Sequence, residues 1–159
     1  MKAAANNLRS IIEASRPRLL AITENEASAK PHGEKWSLKE ILGHLVDSVS
    51  TNHQRIVRMQ QVADLGKFGY DQEHWVNSQN YKNESWNDIV NIWYFYNKHL
   101  AHVMEHVDAK KLTNVCDMDY EQPKTLEFVI TDYARHMQHH LDQIFSGADP
   151  RERSKWETT

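Results

Sequence analysis

An all-α four-helix bundle with long connections between its second and third and its third and fourth helices is the fold the sequence predicts. Three observations lead there. Apolar residues recur at spacings of three and four in four separate segments, the period of an amphipathic helix. The 159 residues contain only five glycines and four prolines, which argues for few, long elements. No stretch alternates apolar and polar residues, so no strand is expected.

The first helix carries Leu8, Ile11, Ile12, Ser15, Leu19 and Ile22, with Pro17 expected to kink or restart it. Lys30-Pro31-His32-Gly33 then reads as a loop. The second helix has the clearest start: Ser37 and Glu40 form a capping box, with Trp36 placed as a hydrophobic staple. Leu38, Ile41, Leu42, Leu45, Val49, Ile56 and Met59 continue one face to about residue 63. Residues 64–84 lack a helical period, and so long a connection in a compact bundle is often functional. The third helix starts after Ser85, with Asp88 completing a capping pattern, and its stripe is Ile89, Trp93, Tyr96, Leu100, Val103 and Val107. A second long connection, 109–124, contains Pro123. Thr125 is placed to cap the fourth helix, with Leu126, Val129, Ile130, Tyr133, Met137, Leu141 and Ile144 on its face and Gly147 ending it. Residues 1–148 are expected to form one domain, and 149–159 a loose polar tail anchored only by Trp156.

Composition excludes several classes. The net charge is −3 and no basic run occurs, so nucleic-acid binding has no electrostatic basis. No apolar stretch reaches the ~20 residues that span a bilayer, and Met1–Arg16 lacks the apolar run of a signal peptide. Cys116 is the single cysteine, which fits a reducing compartment. A cytoplasmic location is the expectation.

Ten histidines stand out. On the fourth helix His136 and His140 lie only ~40° apart at about 100° per residue, so their imidazoles can converge on one ion. His139 falls about 100° from either and should face solvent or a partner. A lone HxxxH is more often a pair of boundary histidines than a metal site. His44 sits beside Ile41, Leu45 and Ser48 on the second helix, where it can look sideways into a bundle cavity. Alone it reads as a boundary residue; together with His136 and His140 it completes a set of ligands. His99, His102 and His106 share a flank of the third helix away from its core stripe and read as solvated. His32, His53 and His74 have no partner that spacing identifies.

Three segments carry a family resemblance. They are Glu34-Lys35-Trp36-Ser37-Leu38-Lys39-Glu40-Ile41-Leu42-Gly43-His44-Leu45-Val46-Asp47-Ser48, Tyr70-Asp71-Gln72-Glu73-His74-Trp75, and Tyr133-Ala134-Arg135-His136-Met137-Gln138-His139-His140-Leu141-Asp142-Gln143-Ile144. With these the chain resembles the DinB-like superfamily and, within it, the YfiT-like metal-dependent hydrolases. The resemblance covers residues 30–145 and places the family's three ligands on His44, His136 and His140. It implies a four-helix bundle, often dimeric, with a nickel- or zinc-type ion, and relatives that include bacillithiol S-transferases and a mycothiol-dependent isomerase. One departure is Gln143, where relatives often carry another histidine.

Three neutral imidazoles leave an open position on an ion, which can acidify water for hydrolysis or hold a thiol as thiolate. Hydrolysis usually wants a nearby carboxylate base, and none stands between His136 and His140. The expected function is therefore a metal-dependent transferase that activates a low-molecular-weight thiol for addition to an electrophilic small molecule. Metal-dependent hydrolysis is the alternative, and a non-catalytic metal- or ligand-binding bundle the third reading. Tyr70, Asp71 and Trp75 are expected to shape the substrate mouth, which Glu73 could also reach, although packing is the commoner role for a residue such as Trp75. Arg55 could meet a carboxylate on the thiol, although a surface ion pair is the commoner role for such a residue. Asp132, one turn before His136, and the adjacent Tyr133 are candidates to orient an imidazole.

Overall fold

The computed structural model describes residues 1–30 and 35–146. The expected loop residues Pro31, His32 and Gly33, the helix stop at Gly147 and the tail with Trp156 lie outside the described residues. Four long helices make the bundle: α1 (Lys2–Leu20), α3 (Leu38–Met59), α5 (Trp86–Glu105) and α6 (Leu126–Ser146). Short helices α2 (Glu24–Ser28) and α4 (Gln72–Gln79) lie between them.

Their starts follow from capping chemistry. Ser37 and Glu40 form the reciprocal box at the head of α3, with the Ser37 N–H donating to Glu40 Oε2 at 2.7 Å. Thr23 and Glu26 do the same for α2. Ser85 accepts from the Asp88 N–H, and Thr125 Oγ1 accepts from the Phe128 N–H at 3.2 Å. Pro17 does not break α1, which continues to Leu20; proline near the end of a helix removes only one bond. α3 ends at Met59, the last residue of its apolar stripe, short of the expected end near residue 63.

Packing sets the topology. α1 and α3 each pack against α5 and α6, so the first two long helices sit across the bundle diagonal. One apolar cluster fills the interior, including Leu8, Ile12, Leu42, Leu45, Ile56, Trp93, Leu100, Leu126 and Met137. α3 also buries a polar seam, Asp47, Ser48, Thr51, Asn52 and Arg55, an arrangement that needs internal partners to be tolerated.

Two connections differ from expectation. The segment 64–84 holds α4, whose start is capped by Asp71 accepting from the His74 N–H at 3.0 Å. Strands also occur, although the sequence shows no alternation: β1 (Asp64–Lys67) pairs parallel with β2 (Val115–Asp117), which pairs antiparallel with β3 (Lys124–Thr125). With two to four residues each, these strands are too short to show a period. The small sheet ties both long connections together beside one end of the α3/α6 pair.

Candidate metal centre

Adjacent packing of α3 and α6 brings His44 together with His136 and His140. One ring nitrogen from each lies within 4.8 Å of the others. Ring centroids are 5.5 Å apart for His44–His136, 4.8 Å for His44–His140 and 4.7 Å for His136–His140. His44 is fully buried and the other two are half-buried.

Hydrogen bonding shows what the site lacks. Both ring nitrogens of His44 are buried and have no hydrogen-bond partner among the described residues. Such an orphaned imidazole is costly unless an external group meets it. His140 is oriented differently: its Nδ1 donates to Gln143 Oε1 at 2.8 Å, which leaves Nε2 available as a ligand. The Gln143 amide nitrogen in turn donates to His139 Nε2 at 2.8 Å. His136 Nδ1 lies 3.5 Å from Ser48 Oγ, a long contact.

Electrostatics keep all three rings neutral. Burial first, then the charge of His140, pushes the His44 imidazole down to about 3. Burial pushes His140 down to about 4 despite the Gln143 bond, which acts the other way. His136 is driven well below its ordinary value by burial and then by its histidine neighbours. Neutral imidazole is the form that binds a transition metal, so the donor set fits a divalent ion with three nitrogen ligands.

A cavity of about 290 Å³ opens beside this cluster, with His136, Ser48, Tyr70, Tyr133, Asp132 and Arg55 on its wall. Tyr70 has its ring 6.5 Å from His44 and makes an edge contact with Trp75 at 5.1 Å. Its phenol is pushed above its ordinary pKa, first by burial and then by Asp47, so it stays protonated. The Trp36 ring lies 5.5 Å from that of His44, tilted against it.

The structure shows what the other expected residues contact. Asp71 caps α4, and Glu73 accepts from Trp36 Nε1 at 3.4 Å. Asp132 lines the cavity but accepts from Arg135 at 2.7 Å, with no imidazole bond among the described residues. Tyr133 donates to Asn97 Oδ1 at 2.7 Å instead of orienting a ligand. Arg55 is buried, not in a surface ion pair. His139 is half-buried and held by Gln143, not simply turned to solvent. His99 and His102 on α5 and His106 at its C-terminal cap are exposed, as the expected solvated flank predicts. His53 does find partners there, with Nδ1 at 3.1 Å from the Tyr96 hydroxyl and its ring 5.2 Å from His99.

Sequence reasoning missed Gln143 and Asp47. Asp47 is buried one turn after His44 and accepts from the Tyr81 hydroxyl at 2.7 Å and from Gln79. An acid or amide three residues from a helical histidine was the available signal for both.

The fold and the cluster together define a helical-bundle protein with a three-histidine site able to take a metal ion. The chain belongs to the DinB superfamily, whose sequence profile matches residues 7–144. It is similar in structure to YfiT from Bacillus subtilis, described as a probable metal-dependent hydrolase with an unusual four-helix bundle topology. The TM-score is 0.79 over 91% of this chain and 83% of that one, at 15% identity. No curated protein matches the chain. Among the described residues, no helix is long and apolar enough to cross a membrane.

Proposed function

We propose that the protein is a metal-dependent transferase that activates a low-molecular-weight thiol for addition to an electrophilic small molecule, with His44, His136 and His140 as ligands. The carrying observation is the buried His44 ring, with both nitrogens unpartnered, facing two more neutral imidazoles. When bound, a divalent ion, nickel or zinc by donor type, supplies Lewis acidity to a ligand at its open position.

The residues around the site favour the thiol. Both carboxylates on the cavity wall are committed elsewhere, Asp119 to Lys67 at 2.5 Å and Asp132 to Arg135 at 2.7 Å. Hydrolysis would ask one of them to serve as the base for water. A free thiol, with a pKa near 8.5, ionises far more readily and has less need of such a base. Gln143 orients the His140 imidazole, while Tyr70, in edge contact with Trp75, walls the cavity.

Hydrolysis is the second reading, supported by the description of YfiT. One experiment separates the two. Protein of known metal content is incubated with a bimane-type electrophile and a small thiol, and the products are identified by mass. Thiol adducts that need both metal and His44 support the transferase. Products that gain water instead support the hydrolase. Turnover that survives in His44→Ala and in metal-free protein refutes both.

A further inference from the structure

The cavity has a second polar end, away from the histidines. Arg55 lies on its wall and is only 6% exposed. A guanidinium carries five N–H donors in a rigid plane. Nε and Nη2 both donate to the Phe68 carbonyl, at 3.0 and 2.7 Å, and Nη1 donates to Asn52 Oδ1 at 3.3 Å. One N–H on each terminal nitrogen is left without an acceptor among the described residues. Arg55 also forms no ion pair among those residues. The two acids on the same wall, Asp119 and Asp132, are paired with Lys67 and Arg135. Burial disfavours the Arg55 charge, and nearby Asp119 only partly offsets this. A buried cation with unused donors facing a cavity is matched by an anion arriving from outside.

We propose that Arg55 is the carboxylate-recognition end of this cavity, so that the substrate or thiol is an elongated small molecule bearing a carboxylate remote from its reacting atom. The proposal rests on the metal-centred reading for which end reacts, but not for the binding itself. His44, Ser48, Asn52 and Arg55 follow one another at spacings of four, four and three on α3, and so share a face. Helix geometry puts about 16 Å between the first and last Cα atoms. The arginine leans back along the helix, as its bond to Asn52 one turn earlier shows, which shortens that span. A single guanidinium on a wall without lysine suits one negative charge, hence a carboxylate over a phosphate dianion.

Metal-free protein is titrated with hexanoate, hexanamide and inorganic phosphate while the arginine Nε–H signals are followed by NMR. Hexanoate should shift the Arg55 signal saturably, hexanamide should not, and phosphate should bind more weakly. Arg55→Lys should weaken hexanoate binding about tenfold by removing the planar fork. No saturable shift, equal binding of the amide, tighter binding of phosphate or unchanged affinity in Arg55→Lys overturns the proposal. If Arg55→Lys fails to fold by circular dichroism, the three probes on the wild-type protein decide. Metal uptake is measured on the same preparation by chelator competition. Hexanoate binding without metal uptake sinks the metal reading and leaves the carboxylate site standing; the reverse outcome sinks this inference alone.

Discussion

Two side chains give the metal centre its most direct tests. Gln143 holds His140 in the tautomer that presents Nε2, while also engaging His139. Gln143→Leu should lower metal affinity by roughly 10- to 100-fold, the usual effect of losing a ligand's orienting partner. Chelator competition measures it, and an unchanged affinity would show that His140 needs no such support. The imidazoles also make a pH prediction. In the folded protein His44 and His140 stay neutral down to about 3 and 4, whereas in the unfolded chain they protonate around 6.5. As the pH falls below 6.5 the unfolded state takes up protons that the folded state refuses, so stability is full above that pH and declines through pH 4. Denaturant midpoints of the metal-free protein should fall across this window, and less steeply in His44→Gln. Spacing on helical wheels was enough to pick out these three histidines, because i, i+4 geometry is local. Gln143 passed as a mere departure from a family pattern, since a helical wheel does not show which hydrogen bond an amide will make.

At the scale of elements, the tight spot is where α3 meets the turn after α4. Gly43, next to His44, has the Tyr81 ring pressed against it; a Cβ there would lie 2.3 Å from Cγ and Cδ2 of that ring. Gly43→Ala should displace Tyr81, break its hydrogen bond to Asp47 and cost about 1–3 kcal/mol, read from urea unfolding. Ser37→Ala removes half of the α3 capping box and should cost about 1 kcal/mol by the same assay. The four long helices were legible because each repeats its apolar stripe over five or more turns and most have a polar cap. α4 was not, because eight residues with one buried side chain, Val76, hold too little periodicity. The strands stayed hidden for a related reason. β1 is mostly exposed and owes its place to pairing with a segment about fifty residues away, information that no local window contains.

For the molecule as a whole, an ion that binds only the folded state should raise thermal stability by mass action, by about 2.7 kcal/mol at one hundred times its dissociation constant. Calorimetry with and without added zinc or nickel checks this, and His44→Ala should abolish the gain. The diagonal placement of α1 and α3 matters here as well. The helix that brings two more histidines to His44 of α3 is α6, the last of the four long helices, and two long connections and α5 must be made before it arrives. During synthesis a ribosome-bound chain ending before residue 136 presents His44 alone, with one imidazole and no grip on an ion. The proposed ligand set therefore cannot form until α6 has been made, and a truncation that keeps only the first three long helices should bind no ion at this site.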